Sequence, residues 1–270
     1  MTERLKFVRD ALIVFERECK HYWRWKLHFL FDAVYPLLDA ILFLLIWGTI
    51  LLGGFTGFGG MTKENYIGYI LSGMVIWAFI GITLRGDFVY GFVEEKHRRT
   101  IQYLFASPIN RMSIPYGRTI LPILRASYRA LVLVVLGLIF GFVFQGNILL
   151  IILVILVTFF VFSGFGSIIS GLAAWREDLA DLSWLFSYVI EISAGIYFPL
   201  QILPEGIRNF LMMLPQAQAV QAMRMVTLQN ATFIDILPYL IPLVILGVAT
   251  IIIAKFTYKF IEKKAFLVGI

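Results

Sequence analysis

VEEKHRRTIQYLFASPIN, residues 93–110, is the one strongly charged stretch between two long apolar runs, and its reading sets the topology of the chain around it. At helical spacing His97, Ile101, Leu104 and Phe105 share one face, Glu94, Glu95, Arg98, Arg99 and Gln102 take the other, and Ser107-Pro108 stops the helix. The pattern is that of an amphipathic helix lying at a membrane surface, on the cytoplasmic side. Two roles fit it: a solvated connector with membrane-anchored apolar teeth, or a docking element that passes force from a soluble partner into the membrane.

The composition agrees. A chain of 270 residues that is 60% hydrophobic and only 15% charged, with a mean hydropathy of +0.86, reads as an integral membrane protein rather than a soluble domain. Its net charge of +6 sits in short segments flanking apolar runs. There the cations meet anionic headgroups and set orientation, so nucleic acid is a disfavoured partner and membrane lipids are the expected one. A single cysteine, Cys19, excludes an internal disulfide. The opening MTERLKFVRD has no short apolar core behind it, so no cleavable signal peptide is expected.

Upstream of the charged stretch, residues 66–84 form a span that ends at Arg85 and Asp87. The turn GGFTGFGG before it is followed by only one basic residue, Lys63, which puts that side outside. Residues 33–52 form the first span, long enough at about 1.5 Å per residue for a hydrocarbon core of roughly 30 Å. It contains Pro36 and Asp39. A carboxylate at the bilayer centre costs roughly 2.5–3.5 kcal/mol, so Asp39 is expected to face a partner helix or water. Residues 1–30 carry Leu5, Val8, Leu12, Phe15, Cys19 and Tyr22 at spacings of three and four among many cations, which predicts an interfacial amphipathic helix with Tyr22, Trp23 and Trp25 at headgroup depth.

Downstream, residues 119–144 form the third span, on a helix that also carries Arg118. Arg125 and Arg129, four apart on one face, are expected to snorkel to the headgroups in preference to pairing with an acidic residue on another helix. Gln145-Gly146-Asn147 turns the chain into the fourth span, 148–174, where Ser163, Gly164, Gly166, Ser167, Ser170 and Gly171 make a small-residue stripe suited to close helix packing. The fifth span, 182–198, contains Glu191. Residues 199–230 break at Pro199, Pro204 and Pro215, yet Ile207, Phe210, Leu211 and Leu214 keep an apolar face, which predicts two short helices entering the outer leaflet and returning. A sixth span, 237–256, precedes Lys259, Lys263 and Lys264. The expected fold is one all-α integral membrane domain, 1–270, with six spans and both termini in the cytoplasm.

Catalytic signatures are missing. There is no GxxxxGK[ST] phosphate loop, and His21, His28 and His97 show no metal-ligand spacing. Ser163-Gly164-Phe165-Gly166 reads as helix packing rather than a nucleophile elbow. Trp47, Trp77, Trp184 and Tyr197 near the span ends are assigned to the interfacial aromatic belt before any role in stacking on cargo.

The order of features resembles the membrane-spanning subunits of type 2 ABC exporters. Glu94, Glu95, Lys96, Arg98, Arg99, Thr100, Ile101, Leu104, Ser107 and Pro108 are similar to that family's E-K-x-x-G-T-[LI] connector with its later Leu and Ser-Pro, Arg99 standing where relatives usually carry glycine. Gly195-Ile196-Tyr197-Phe198-Pro199-Leu200, Leu203-Pro204, Leu214-Pro215 and Arg224 are similar to its re-entrant segment. The resemblance implies a homodimer, or a heterodimer with a related permease, resting on a nucleotide-binding ATPase subunit that holds the ATP and magnesium. No cofactor is then expected on this chain, which would be a transport subunit in the cytoplasmic membrane and not an enzyme. Residues 93–107 would be the coupling helix. Asp39, Glu191, Tyr197, Pro199, Pro204 and Pro215 become the candidate path or gate for an amphipathic cargo: a drug-like molecule, a lipid or a glycolipid or polysaccharide. The first span lacks features associated with polysaccharide exporters, which favours drug-like or lipid cargo. The alternative is a transporter or channel driven by an ion gradient, with Asp39 and Glu191 as its sites.

Overall fold

The computed structural model describes residues 3–24, 26–53, 61–85, 89, 113–142, 145–176 and 178–268, and the regular structure among them is helical. The elements are α1 (Glu3–Arg24), α2 (Lys26–Leu52), α3 (Tyr66–Leu84), α4 (Ser113–Ile139), α5 (Ile148–Trp175), α6 (Asp178–Ser193), a single 3-10 turn (Leu200–Ile202), α7 (Glu205–Met212), α8 (Pro215–Gln229) and α9 (Phe233–Val268). Among the described residues five helices, α2, α3, α4, α5 and α9, are long and apolar enough to cross a membrane.

α3 is the axis of the bundle. Every residue from 68 to 84 is buried, as a helix that is apolar on all sides requires. α2, α4, α5, α6 and α8 pack around it, and Leu71, Trp77, Leu133, Phe162 and Met223 share its core. α9 lies outside this ring and packs mainly on α5. The small-residue stripe makes that contact: a Cβ added to Gly164 would lie 2.2 Å from Thr250 Oγ1, so only hydrogen fits between the helices there.

Local chemistry sets the helix ends. Asn147 caps α5 by accepting from the Leu149 N–H at 2.9 Å. Pro215 opens α8, where its missing N–H costs nothing, and Asn230 closes it in the left-handed region at φ 49°. Asp235 accepts from the Thr232 N–H at 2.8 Å and from its hydroxyl at 2.7 Å at the start of α9.

Several expectations change. The N-terminal helix stops at Arg24 and not at 30, and the first long apolar helix begins at Lys26 and not at 33. α4 ends at Ile139 and turns at Phe140-Gly141, short of the expected 144. α9 extends beyond 237–256 at both ends and runs through Pro238 and Pro242. The expected fifth span, 182–198, is the 16-residue α6. At about 1.5 Å per residue it covers about 24 Å, less than the roughly 30 Å of a hydrocarbon core. The expected connector helix 93–107, with Glu94, Glu95, Lys96, Arg98, Arg99, Thr100, Ile101, Leu104 and Ser107, and with Pro108 behind it, lies outside the described residues.

Arg125 and Arg129 do not snorkel. Both turn to Asp32 on α2: Arg125 donates through Nε at 2.7 Å and Nη2 at 3.2 Å, and Arg129 through Nε at 3.0 Å and also Nη2. Tyr22 of α1 donates to the same carboxylate at 2.7 Å, and the Arg125 guanidinium lies 4.9 Å over its ring. Asp32 is only 2% exposed, so leaving it unpaired would cost more than either arginine gains by reaching water. Burial, reinforced by the Asp32 hydrogen bond, raises the Tyr22 phenol well above its ordinary pKa and keeps the donor proton in place. With the Arg118–Glu18 contact at 3.4 Å, this cluster fastens α1 to the bundle.

Candidate functional site

Tyr35, Asp39, Phe43 and Trp47 follow one another at intervals of four on α2 and so form a single stripe. The stripe looks towards α6 and the backbone break that follows it. Phe43 stacks on Tyr197 with ring centroids 3.8 Å apart, and Trp47 Nε1 donates to the Tyr197 carbonyl at 2.6 Å.

Between these elements sits Arg85. α3 ends at Leu84, and Arg85 takes extended backbone while its N–H still bonds the Gly81 carbonyl. Its guanidinium donates through Nη2 to Glu191 Oε2 at 2.7 Å and through Nε to Ser187 Oγ. Ser187 and Glu191 are one helical turn apart on α6 and present both acceptors together. The cation also lies 4.3 Å from the Tyr188 ring centroid, 5.1 Å from Trp77 and 5.2 Å from Trp184. The other oxygen of Glu191 accepts from the Tyr197 hydroxyl. Only 12% of the Arg85 side chain and 9% of the Glu191 side chain are exposed.

Asp39 lies within electrostatic reach of both Arg85 and Glu191, as does the Tyr35 phenol. One guanidinium is thus paired with the Glu191 carboxylate and has a second, that of Asp39, near it. Tyr35, Leu38, Trp184 and Tyr188 around it are exposed. The arrangement sets two carboxylates and one guanidinium between helix faces of α2 and α6 that carry aromatic side chains.

Of the residues singled out beforehand, Asp39, Glu191 and Tyr197 are brought together here. Pro199, Pro204 and Pro215 are not part of this group and set boundaries instead, at the 3-10 turn, α7 and α8 respectively. Trp47, Trp77 and Tyr197 each have a polar or charged partner inside the bundle. Arg85 and Ser187 were not singled out. The four-residue interval between Ser187 and Glu191 and that of the α2 stripe were visible; the meeting of Arg85 with Glu191 was not.

The break after α6 is held from behind. Arg224, 4% exposed, donates to the Gly195 carbonyl at 2.8 Å, to Ile196 at 3.1 Å and to Tyr69 at 3.2 Å. Gln216 donates to Ser193 Oγ at 2.7 Å. Gly195 adopts φ +66°, and a Cβ there would stand 2.6 Å from Leu200 Cγ. Gly195→Ala is therefore expected to lose about 1–2 kcal/mol from the left-handed conformation alone, with the Leu200 clash added. The check is thermal unfolding in detergent, where an unaltered melting temperature would mean that the turn is not constrained.

A family profile described as ABC-2 family transporter protein matches residues 54–256. The chain belongs to the ABC-2 transporter family. As an ABC-2 protein it is a multi-pass membrane component with a transport role, of a kind that normally works with an ATP-binding subunit. The match takes in α3 and everything up to the middle of α9, so Arg85, Ser187, Glu191 and Tyr197 fall inside it and Asp39 just outside. No curated protein matches the ABC-2 chain in sequence.

Proposed function

We propose that this chain is the membrane-spanning permease of an ATP-driven exporter, moving an amphipathic cargo out of the cytoplasm with energy from a separate nucleotide-binding subunit. The observation that carries the reading is the position of Arg85. It stands where the innermost helix ends and the chain leaves towards residues 93–107, and its side chain is locked to α6 and faces the α2 stripe. A displacement of the connector would reach Arg85 first and, through Ser187 and Glu191, alter the groove between α2 and α6. In this scheme α1 lies at the cytoplasmic interface, α7 and α8 form the re-entrant segment, and two copies, or one copy and a related permease, enclose the path.

Glu94 and Glu95 are assigned to basic residues of the ATPase. Their replacement by lysine sets like charges against each other at a cost of several kcal/mol. The expected result for Glu94→Lys with Glu95→Lys is export reduced by about tenfold or more, with the permease still inserted and the ATPase still active. Unaltered export in proteoliposomes containing both subunits would end the assignment.

The ion-gradient alternative built on Asp39 and Glu191 is the weaker reading, because both oxygens of Glu191 are already engaged, by Arg85 and Tyr197. Cargo movement by the purified chain without nucleotide would reverse that order.

A further inference from the structure

Behind the turn that follows α6 the fold leaves a pocket of about 70 Å³. Its polar lining is Gln201 of the 3-10 turn, Gln218, Gln221 and Arg224 of α8, Tyr69 of α3 and Tyr239 of α9. Ala217, Gln221 and Arg224 follow one another at intervals of four and three, so one face of α8 makes a wall of the pocket. No carboxylate belongs to that lining.

Arg224 is 4% exposed, and what holds it is neutral. Its Nε and Nη2 donate to the Tyr69, Gly195 and Ile196 carbonyls, and its guanidinium lies 3.4 Å from the centroid of the Tyr69 ring. Among the described residues its Nη1 makes no hydrogen bond, and no carboxylate pairs with the cation. Arg85 and Arg125, enclosed to a similar degree, each meet a carboxylate at 2.7 Å. Carbonyls satisfy donors without cancelling a charge, and a buried cation that lacks a counter-ion is costly.

The rest of the pocket favours the same kind of ligand. Ala217 and Gln218 bring to it the first turn of α8, where the leading N–H groups of a helix have no carbonyl of their own to bond and the helix end is positive. Gln201 Oε1 is buried without a donor, and turning that amide about its last bond puts N–H donors in its place. A phosphate offers oxygens in several directions to donors that arrive from several elements, which a planar carboxylate does not.

The geometry points to this pocket as a binding site for a phosphate group, free or carried as a lipid headgroup, with Arg224 Nη1 as its charged contact and Gln218 and Gln221 as donors beside it. The bound group supplies the absent negative charge and stiffens the turn that Arg224 holds. The Arg85 group is a separate place, because the same turn stands between them: the Gly195 and Ile196 carbonyls face Arg224, while the Tyr197 hydroxyl faces Glu191. Binding here needs no ATPase subunit, so its failure would leave the exporter reading standing.

Thermal unfolding of the purified full chain in a neutral detergent tests the site, since a ligand that binds only the folded state raises the melting temperature as its concentration rises. Inorganic phosphate is expected to raise it at constant ionic strength with chloride as the balancing anion. Short-chain phosphatidic acid, compared with phosphatidylcholine of the same chain length, separates the sources: if it acts at lower concentration than inorganic phosphate the site takes a lipid headgroup, and the reverse order assigns it to the free ion. Gln221→Glu sets a carboxylate one turn from Arg224, supplying the counter-ion from within and repelling a second anion, so the affinity for phosphate should fall by about tenfold or more. Gln229→Glu, at the exposed end of α8, should keep the wild-type response. Arg224→Gln should abolish the response, and if that variant does not fold the Gln221 variant decides. The proposal is overturned by a melting temperature that ignores phosphate and responds no more to phosphatidic acid than to phosphatidylcholine, by an equal rise with chloride, or by equal responses of Gln221→Glu and wild type.

Discussion

Arg85→Ala is expected to destabilise the chain by about 3–5 kcal/mol, the usual result of removing one partner from a buried ion pair. Its guanidinium is held by Glu191, Ser187 and three aromatic rings, so the truncation removes packing as well as charge. What remains is worse than a cavity. Glu191 is left buried with Asp39 within electrostatic reach and no cation between them, and Tyr197 alone must hold it. The contrast is Arg85→Met with Glu191→Met, which removes both charges and keeps most of the volume. That pair should recover a large part of the loss, because a buried ion pair is replaceable by apolar side chains far more cheaply than it is broken. Unfolding in detergent micelles, followed by helical signal against denaturant, compares the three proteins. A single variant as stable as the parent, or a double variant less stable than the single, would refute the account of this cluster.

Asp32→Ala should have an effect of similar size, about 3–5 kcal/mol, for the opposite electrostatic reason. Here one carboxylate serves two guanidiniums and a phenol, and its loss leaves Arg125 and Arg129 facing each other four residues apart. Since Tyr22 loses its acceptor too, the damage should concentrate on α1, which the cluster fastens to α2 and α4. Hydrogen exchange resolved by peptide is the fitting measurement: α1 amides should lose protection in the variant while those of α3 retain most of theirs. Asp32→Asn keeps a carbonyl oxygen for one guanidinium and should fall between the two proteins. Equal protection of α1 in wild type and Asp32→Ala would mean that α1 is held by its apolar face alone.

Much of the fold was legible because its signals are local. The apolar runs of α2, α3, α5 and α9 announce themselves by length, since a bilayer imposes its own scale on any helix that crosses it. Pro199, Pro204 and Pro215 mark boundaries, since a missing N–H acts on the residue's own turn, whereas α9 continues through Pro238 and Pro242. Gly164 was recognisable as a packing residue, although its neighbour Thr250 was not. The shift of the α2 start to Lys26 has an equally local cause: residues 26–32 mix charged and apolar side chains, so hydropathy reads them as interface while the backbone continues as helix.

The candidate site was legible only in pieces. Asp39 and Glu191 stood out because a carboxylate in an apolar run is costly anywhere. Arg85 did not, because a cation at the end of a span ordinarily belongs to the headgroups. Asp32 escaped notice because it precedes the expected span, where a carboxylate carries no burial cost, and with it went the pairing that overrides snorkelling at Arg125 and Arg129. Trp77 and Tyr197 carry no local mark separating a belt aromatic from one packed against a buried charge.

The amino-acid sequence by itself determined that this is a helical membrane protein and where most of its long helices run, since hydropathy and glycine and proline placement act within a few turns of chain. The tertiary structure alone decided which charges meet. Arg85 and Glu191 are 106 residues apart and Asp32 and Arg125 are 93 apart, and the energy of an ion pair depends on distance in space and on local burial, neither of which is written in the order of the residues.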